Sequence, residues 1–210
     1  MVILIVIGTY LVVGYLLHSV IFPEKKPAIA GYFKPGQVFI STKENVRQTI
    51  VKQEHGIVYC KAEIGPFAGG PPVHIHTEFD ETFEVENGEL SVMVNGVVKK
   101  IRAGEKVFVP RGTPHKPFNE TADTIRIKGE VAFPEKFAFY LAQVYGVMDR
   151  DPNFGKSAGT MLQMSMFTHD GFDSYLGDGV PVGLQKVMGF LVTPWARAMG
   201  YKSYYADVRR

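Results

Sequence analysis

Apolar and polar positions along the chain fall into three textures. Residues 2–22 read VILIVIGTYLVVGYLLHSVIF, with His18 the only ionisable side chain. As a helix rising 1.5 Å per residue this run is about 30 Å long, the thickness of a bilayer's hydrocarbon core. From about Gln37 to Val131 short alternating runs are broken by turn residues. They predict strands over 37–41, 47–52, 56–64, 72–77, 81–87, 89–95, 97–102, 106–110 and 123–132. Asn87-Gly88 and Asn95-Gly96 read as hairpin turns, since both central residues of a type I′ turn need positive φ. Evenly spaced strands with no helical period between them predict an antiparallel sandwich or barrel.

After Pro134 the period changes. Phe137, Tyr140, Leu141, Val144 and Met148 recur at helical spacing, and this helix is expected to end near Asp149. The glycine-rich stretch from Gly155 to Pro181 is expected to lack regular structure. Leu184, Val187, Met188, Leu191, Trp195 and Met199 trace a second apolar stripe, kinked at Pro194 and closed by Gly200. Two readings of these helices stand. Both pack on the outside of the barrel, or the second lies in a membrane interface, with Trp195 and Tyr201 at headgroup level and Arg197 and Lys202 snorkelling. The organisation is thus an anchor over 1–23, a barrel over 36–132 and a helical extension over 133–210.

The N-terminal run is read as a single transmembrane helix, so residues 2–22 make the membrane a partner. Its rivals are a cleaved signal peptide, which Ala28-Ile29-Ala30 imitates, and a buried core strand or oligomer-forming helix. Lys25 and Lys26 follow the run and no Lys or Arg precedes it, which places the barrel on the cytoplasmic side. The alternative is a periplasmic or secreted domain released by signal cleavage.

Composition narrows the rest. The chain has 210 residues, 46% of them hydrophobic, and a net charge of +2, so it holds ample core and is not globally disordered. With 23 Lys+Arg against 21 Asp+Glu there is little excess basic charge, and nucleic acid is excluded as a partner. Cys60 is the single cysteine, which rules out an internal disulfide or a thiolate zinc cluster.

Chemistry concentrates in two blocks. In Pro72-Val-His74-Ile-His76 the histidines stand two apart, so on a strand they project to the same side. Glu81 opens the next strand, where it can return to the same place. In Val109-Pro110-Arg-Gly112-Thr-Pro-His115 a Pro/Gly turn brings a third histidine forward. Three imidazoles and a carboxylate suit a borderline divalent transition metal (Fe, Mn, Ni, Zn or Cu) and leave one or two positions for water, O₂ or substrate.

These blocks resemble the paired motifs of the cupin superfamily. G-x₅-H-x-H-x₃₋₄-E-x₆-G is matched by His74, His76, Glu81 and Gly88, and G-x₅-P-x-G-x₂-H-x₃-N by Gly104, Pro110, Gly112, His115 and Asn119. One departure is Ala68 at the leading glycine of the first motif, with Gly69 and Gly70 directly after it. The resemblance covers roughly 36–132 and is to the small single-domain, metal-binding kind. It implies a mainly β fold, the cupin double-stranded β-helix or jelly-roll barrel, here with an N-terminal transmembrane helix and C-terminal α-helices. It also implies a metal held by His74, His76, Glu81 and His115.

The remaining expectations concern the ligand. Phe83, Val85, Phe108 and Asn119, with Met93 or its neighbour Val92, are taken to line the pocket, and Glu78 is a candidate general base. By resemblance the ligand set is closest to quercetinase-like dioxygenases, although cupin isomerases use similar sites. Two functional readings follow. One is a metal-dependent enzyme, a dioxygenase or isomerase, acting on a small, largely apolar or aromatic molecule. The other is a non-catalytic accessory or binding subunit of a membrane complex, and by resemblance the barrel pairs as a homodimer.

Overall fold

The structure is a computed structural model that describes residues 1–21 and 23–208. Phe22, which closes the expected anchor, and Arg209 and Arg210 of the C-terminal extension lie outside the described residues. Helix α1 runs over Val2–Leu16 and continues as a π-helical turn over Leu17–Ile21; none of its residues is buried. Together these residues make a helix long and apolar enough to cross a membrane.

The central strands are β1 (Val38–Ser41), β2 (Val46–Glu54), β3 (Ile57–Ile64), β4 (His74–Ile75), β5 (Glu81–Glu84), β6 (Glu89–Val94), β7 (Val97–Arg102), β8 (Lys106–Val109), β9 (His115–Phe118), β10 (Ile125–Arg126) and β11 (Val131–Pro134). They form an antiparallel jelly roll. One sheet has the order β1-β2-β3-β10, with β11 also on β3. The facing sheet has β4-β9-β6-β7, and β5 pairs with β8. Alternation dictates this burial: Val58, Cys60, Ala62 and Ile64 of β3 all point inward while Lys61 is exposed. The expected strand over 123–132 is in fact two, and β9 stands where no strand was expected. Proline at 110, 114 and 117 masks its alternation.

Of the two expected hairpins, Asn95 and Gly96 both take positive φ, 49° and 77°. At the other, only Gly88 does; the Asn87 side chain instead donates to Thr124 O and accepts from Arg126 N. These bonds run to residues 37 and 39 positions on, so Asn87 is tied to β10 and not to its own turn.

Helix α2 (Glu135–Arg150) follows Pro134, which lacks the donor a first helical turn leaves unused, and ends with the positive charge of Arg150, which suits the helix dipole. It does not lie on the outside of the barrel, contrary to one of the two expectations. Phe137, Phe139, Tyr140 and Val144 join Phe39, Ile50, Val58, Cys60 and Phe133 in one aromatic-rich core. The other half of β3's inward face, Ala62 and Ile64, packs with Phe83, Val85, Leu90 and Val92 between the sheets. The helix therefore closes the end of the barrel that the strands leave open.

The stretch 155–181 was expected to be irregular and is not. Helix α3 (Ala158–His169) occupies it, with Ser157 as N-cap accepting from Thr160 N, and its Met166 and Phe167 are fully buried. Strand β12 (Tyr175–Leu176) then adds to β4, and α4 (Val182–Ala198) follows, containing Pro194. The apolar residues of α3 lack a helical stripe because it is packed on several sides, which is why periodicity missed it.

Candidate metal centre

His74 lies on β4, paired in register with His115 on β9; His76 follows β4 by one residue, and Glu81 opens β5. One ligand atom from each of these four lies within 4.8 Å of all the others. His74 Nε2 is 3.1 Å from His76 Nε2, and Glu81 Oε2 is 2.8 Å from His115 Nε2 and 3.6 Å from His76 Nε2. His76 and His115 are buried, whereas His74 and Glu81 keep an open side.

The outer ring nitrogens decide what the inner ones offer. His74 Nδ1 meets Pro72 O at 3.0 Å, His76 Nδ1 meets Asp173 O at 2.5 Å, and His115 Nδ1 meets Thr113 O at 2.9 Å. A carbonyl only accepts, so each Nδ1 carries the hydrogen and, in the neutral ring, each Nε2 presents a bare lone pair. With all three rings neutral, three lone pairs and a carboxylate converge on one point, and only a proton between His115 Nε2 and Glu81 Oε2, 2.8 Å apart, supplies a donor among them. Such a set repels itself unless a cation sits there, and it fits a divalent metal with nitrogen and oxygen ligands.

The electrostatics divide the three imidazoles. Burial, then the neighbouring imidazoles, push His74 down to about 3, and burial also lowers His76. Burial opposes ionisation of Glu81, but the His115 hydrogen bond and the surrounding imidazoles hold its carboxyl below the usual range. For His115, burial is outweighed by Glu81, which raises it.

The other expected residues fare unevenly. Phe83 is buried with its ring centroid 6.4 Å from that of His115, and Val85 is wholly buried behind it. Phe108 is 58% exposed, because β8 alternates and Val107 and Val109 take the inward positions. Met93 is likewise corrected: Val92 and Leu90 face the core, and Met93 shares the opposite face with Ser91. Asn119 is buried but spent on its loop. Its Nδ2 donates to Gly65 O and Asp123 O, and its Oδ1 accepts from Thr121 N and Oγ1. Glu78 is an exposed turn residue whose carboxylate is not among the four converging groups. Gly70, not position 68, is the glycine the first block needs, for it takes φ +66° and a Cβ there would strike Pro117 O.

Two groups had no sequence signal. Asp173, from the loop between α3 and β12, accepts from Thr77 N and Glu78 N, both at 2.7 Å, and from Thr77 Oγ1 at 2.6 Å, while its own carbonyl fixes His76. On the facing sheet, the Tyr145 hydroxyl of α2 donates to Glu44, which burial raises to about 7, and accepts from Gln48. Gln48 Oε1 is buried with no hydrogen-bond partner among the described residues. Phe79 and Phe137 lie against the His76 ring, at 4.3 and 4.9 Å between centroids, and Phe172 stacks on Phe137.

Residues 61–128 match the profile of the family described as Cupin domain. The barrel belongs to the cupin superfamily. The chain is similar to a protein described as probable oxidoreductase virH from Hypocrea virens (strain Gv29-8 / FGSC 10586), at 26% identity over 186 residues and 82% of each chain. That alignment runs well beyond 61–128, so this likeness includes helices outside the cupin match. A second relative, oxidoreductase iacF from Pestalotiopsis fici (strain W106-1 / CGMCC3.15140), is 44% identical over 48 residues, which is 22% of this chain and 24% of that protein. Among solved structures, KdgF from Halomonas sp. aligns with a TM-score of 0.39 and 20% identity over 46% of this chain and 84% of its own. Recombinant oxalate oxidase in complex with glycolate aligns at 0.39 and 24% over 53% and 62%. Scores of this size carry nothing about activity.

Two outcomes are expected. Asp173→Ala removes the three acceptor contacts that hold the ligand turn, and metal affinity measured by chelator competition should fall roughly 10–100-fold. Unchanged affinity would mean that the turn holds itself. Glu44 binds its proton more tightly folded than unfolded, so its contribution is full below about 4.5 and is lost as pH rises through about 7. A tenfold change in proton affinity is worth about 1.4 kcal/mol, which bounds this contribution at about 3.5 kcal/mol. Denaturant unfolding of Glu44→Gln at a series of pH values should show a flatter profile across that window than the parent chain, and parallel profiles would refute the assignment.

Proposed function

We propose that this chain is a membrane-anchored, metal-dependent cupin oxidoreductase, a dioxygenase acting on a small, largely apolar or aromatic molecule. The observation that carries this reading is the convergence of three bare Nε2 lone pairs and the Glu81 carboxylate. Two relatives named as oxidoreductases support it. A divalent transition metal bound there would supply Lewis-acid and one-electron chemistry. His74, His76, His115 and Glu81 would hold it. Phe79, Phe137 and Phe172 exclude water from the His76 flank, and Phe83 gives His115 an apolar neighbour. Glu44, Gln48 and Tyr145 offer a polar end on the facing sheet, where Gln48 Oε1 is free to accept from a hydroxyl or N–H of the bound molecule.

The test is metal analysis of the full chain purified in detergent, with O₂ uptake measured against a panel of hydroxylated aromatic compounds. About one first-row metal per chain and metal-dependent O₂ uptake are expected, both lost in His76→Ala while the far-ultraviolet circular dichroism persists. A metal-free native protein would sink the enzyme reading. Stoichiometric metal without turnover would favour the second reading, a binding subunit of a membrane complex or a homodimer. The helical extension that closes over the barrel favours that reading, and sizing in mild detergent would then reveal the partners.

The anchor is assigned to residues 2–22, with the barrel on the cytoplasmic side because Lys25 and Lys26 follow the run. Protease added to sealed vesicles of defined sidedness should cleave the barrel only from that face; cleavage from the other face would reverse the orientation.

A further inference from the structure

We infer that α4 is a second lipid-contacting helix, packed against α1 within the bilayer; this rests on the anchor reading of α1. Leu184, Val187, Met188, Leu191, Trp195 and Met199 are 51%, 53%, 46%, 37%, 56% and 59% exposed. They form one stripe at helical spacing, and a continuous apolar face of this length is not normal for a surface in water. The opposite face is spoken for. Thr193 and Ala196 are buried, and Thr193 Oγ1 lies 3.2 Å from Ser165 O of α3.

The contact with α1 has the chemistry of a lipid-facing helix pair. Pro194 has no N–H, so Phe190 O, four residues before it, loses its helical donor. The Tyr15 hydroxyl of α1 replaces that donor at 2.7 Å, and its ring stacks on Phe190 at 5.0 Å. Tyr10 OH donates to Leu191 O at 3.0 Å. In water a freed carbonyl on an exposed helix would simply be hydrated, whereas in hydrocarbon it must be satisfied from within the protein. A Cβ at Gly14 would come within 2.6 Å of Pro194 Cβ, so the two backbones cross at a position that admits only glycine without a shift.

Lys25 and Lys202 line one cleft of about 530 Å³ beside the ends of both helices with Tyr201 and Tyr204, but Glu24 and Asp207 line it too. Arg197, expected to snorkel, is instead turned inward towards Asp170. Both ends of α4 are also tied to the body. Gln185 Nε2 donates to Leu176 O at 2.8 Å, and Lys202 O accepts from Gln163 Nε2 at 2.7 Å. Lipid is the occupant that matches, because the stripe is continuous with α1, which is apolar and unburied throughout.

Trp195 is the only tryptophan in the chain, so its fluorescence reports this face alone. The full chain is reconstituted into phosphatidylcholine–phosphatidylglycerol vesicles carrying bromine either near the headgroup or near the chain ends. The expected result is a blue-shifted emission, loss of quenching by aqueous iodide, and quenching by the brominated lipids. In Leu184→Asp with Leu191→Asp, bromine quenching should fall while flotation with the vesicles persists through α1. A chain that floats yet keeps an iodide-accessible Trp195 overturns the inference and leaves the anchor reading intact. Shielding from iodide without bromine quenching, at twice the monomer mass, overturns it in favour of a second copy on this face. A chain that does not float removes the anchor reading, and this inference with it.

Discussion

Everything at the centre of this molecule depends on where three imidazole hydrogens sit. Each Nδ1 is committed to a backbone carbonyl, of Pro72, Asp173 and Thr113, and that commitment leaves three acceptors pointing at one another beside an ionised carboxylate. Buried groups of one polarity are costly unless a cation compensates them. The barrel holds the arrangement because strand pairing sets His74 opposite His115 and the turn after β4 returns His76 and Glu81 to the same side.

The C-terminal segment belongs to this centre and is not an appendage to it. It adds β12 to the strand that carries His74, supplies the carbonyl that orients His76, and pins the following turn through the Asp173 carboxylate. Helix α2 contributes Phe137 against His76 and Tyr145 against Gln48 and Glu44, so the open end of the barrel is walled by residues outside the family match. Much of what would tune a reaction here therefore lies beyond the shared motifs. This accords with function residing in what is built around a fold and not in the fold itself.

The same extension links the barrel to α1. Helix α3 packs on α2's core and on α4, and α4 meets α1 through two tyrosine hydroxyls. Lys26 further ties the segment after α1 to Asp170 beside α3. The apolar helices and the metal centre are thus joined through one continuous packed body, not through a slack linker.

Local pattern alone marked most of the barrel strands, though not β9, together with the apolar first helix and the four converging residues, because each rests on local rules: alternation of period two, an unbroken apolar run, and two motifs whose ligands are close along the chain. It also determined that Phe83 and Val85 face inward. It missed the facing of Phe108 and Met93, for a one-residue slip in register turns every side chain to the other face and nothing local marks that slip. It missed α3 because a helix buried on several sides has no stripe. Asp173, Gln48 and Glu44 were beyond reach for another reason. Asp173 meets Thr77 across 96 residues of chain, and a polar residue acquires its role only when distant elements fold onto it. Tertiary structure alone decided that the C-terminal segment completes the metal centre, since that depends on long-range hydrogen bonds whose partners carry no shared local pattern.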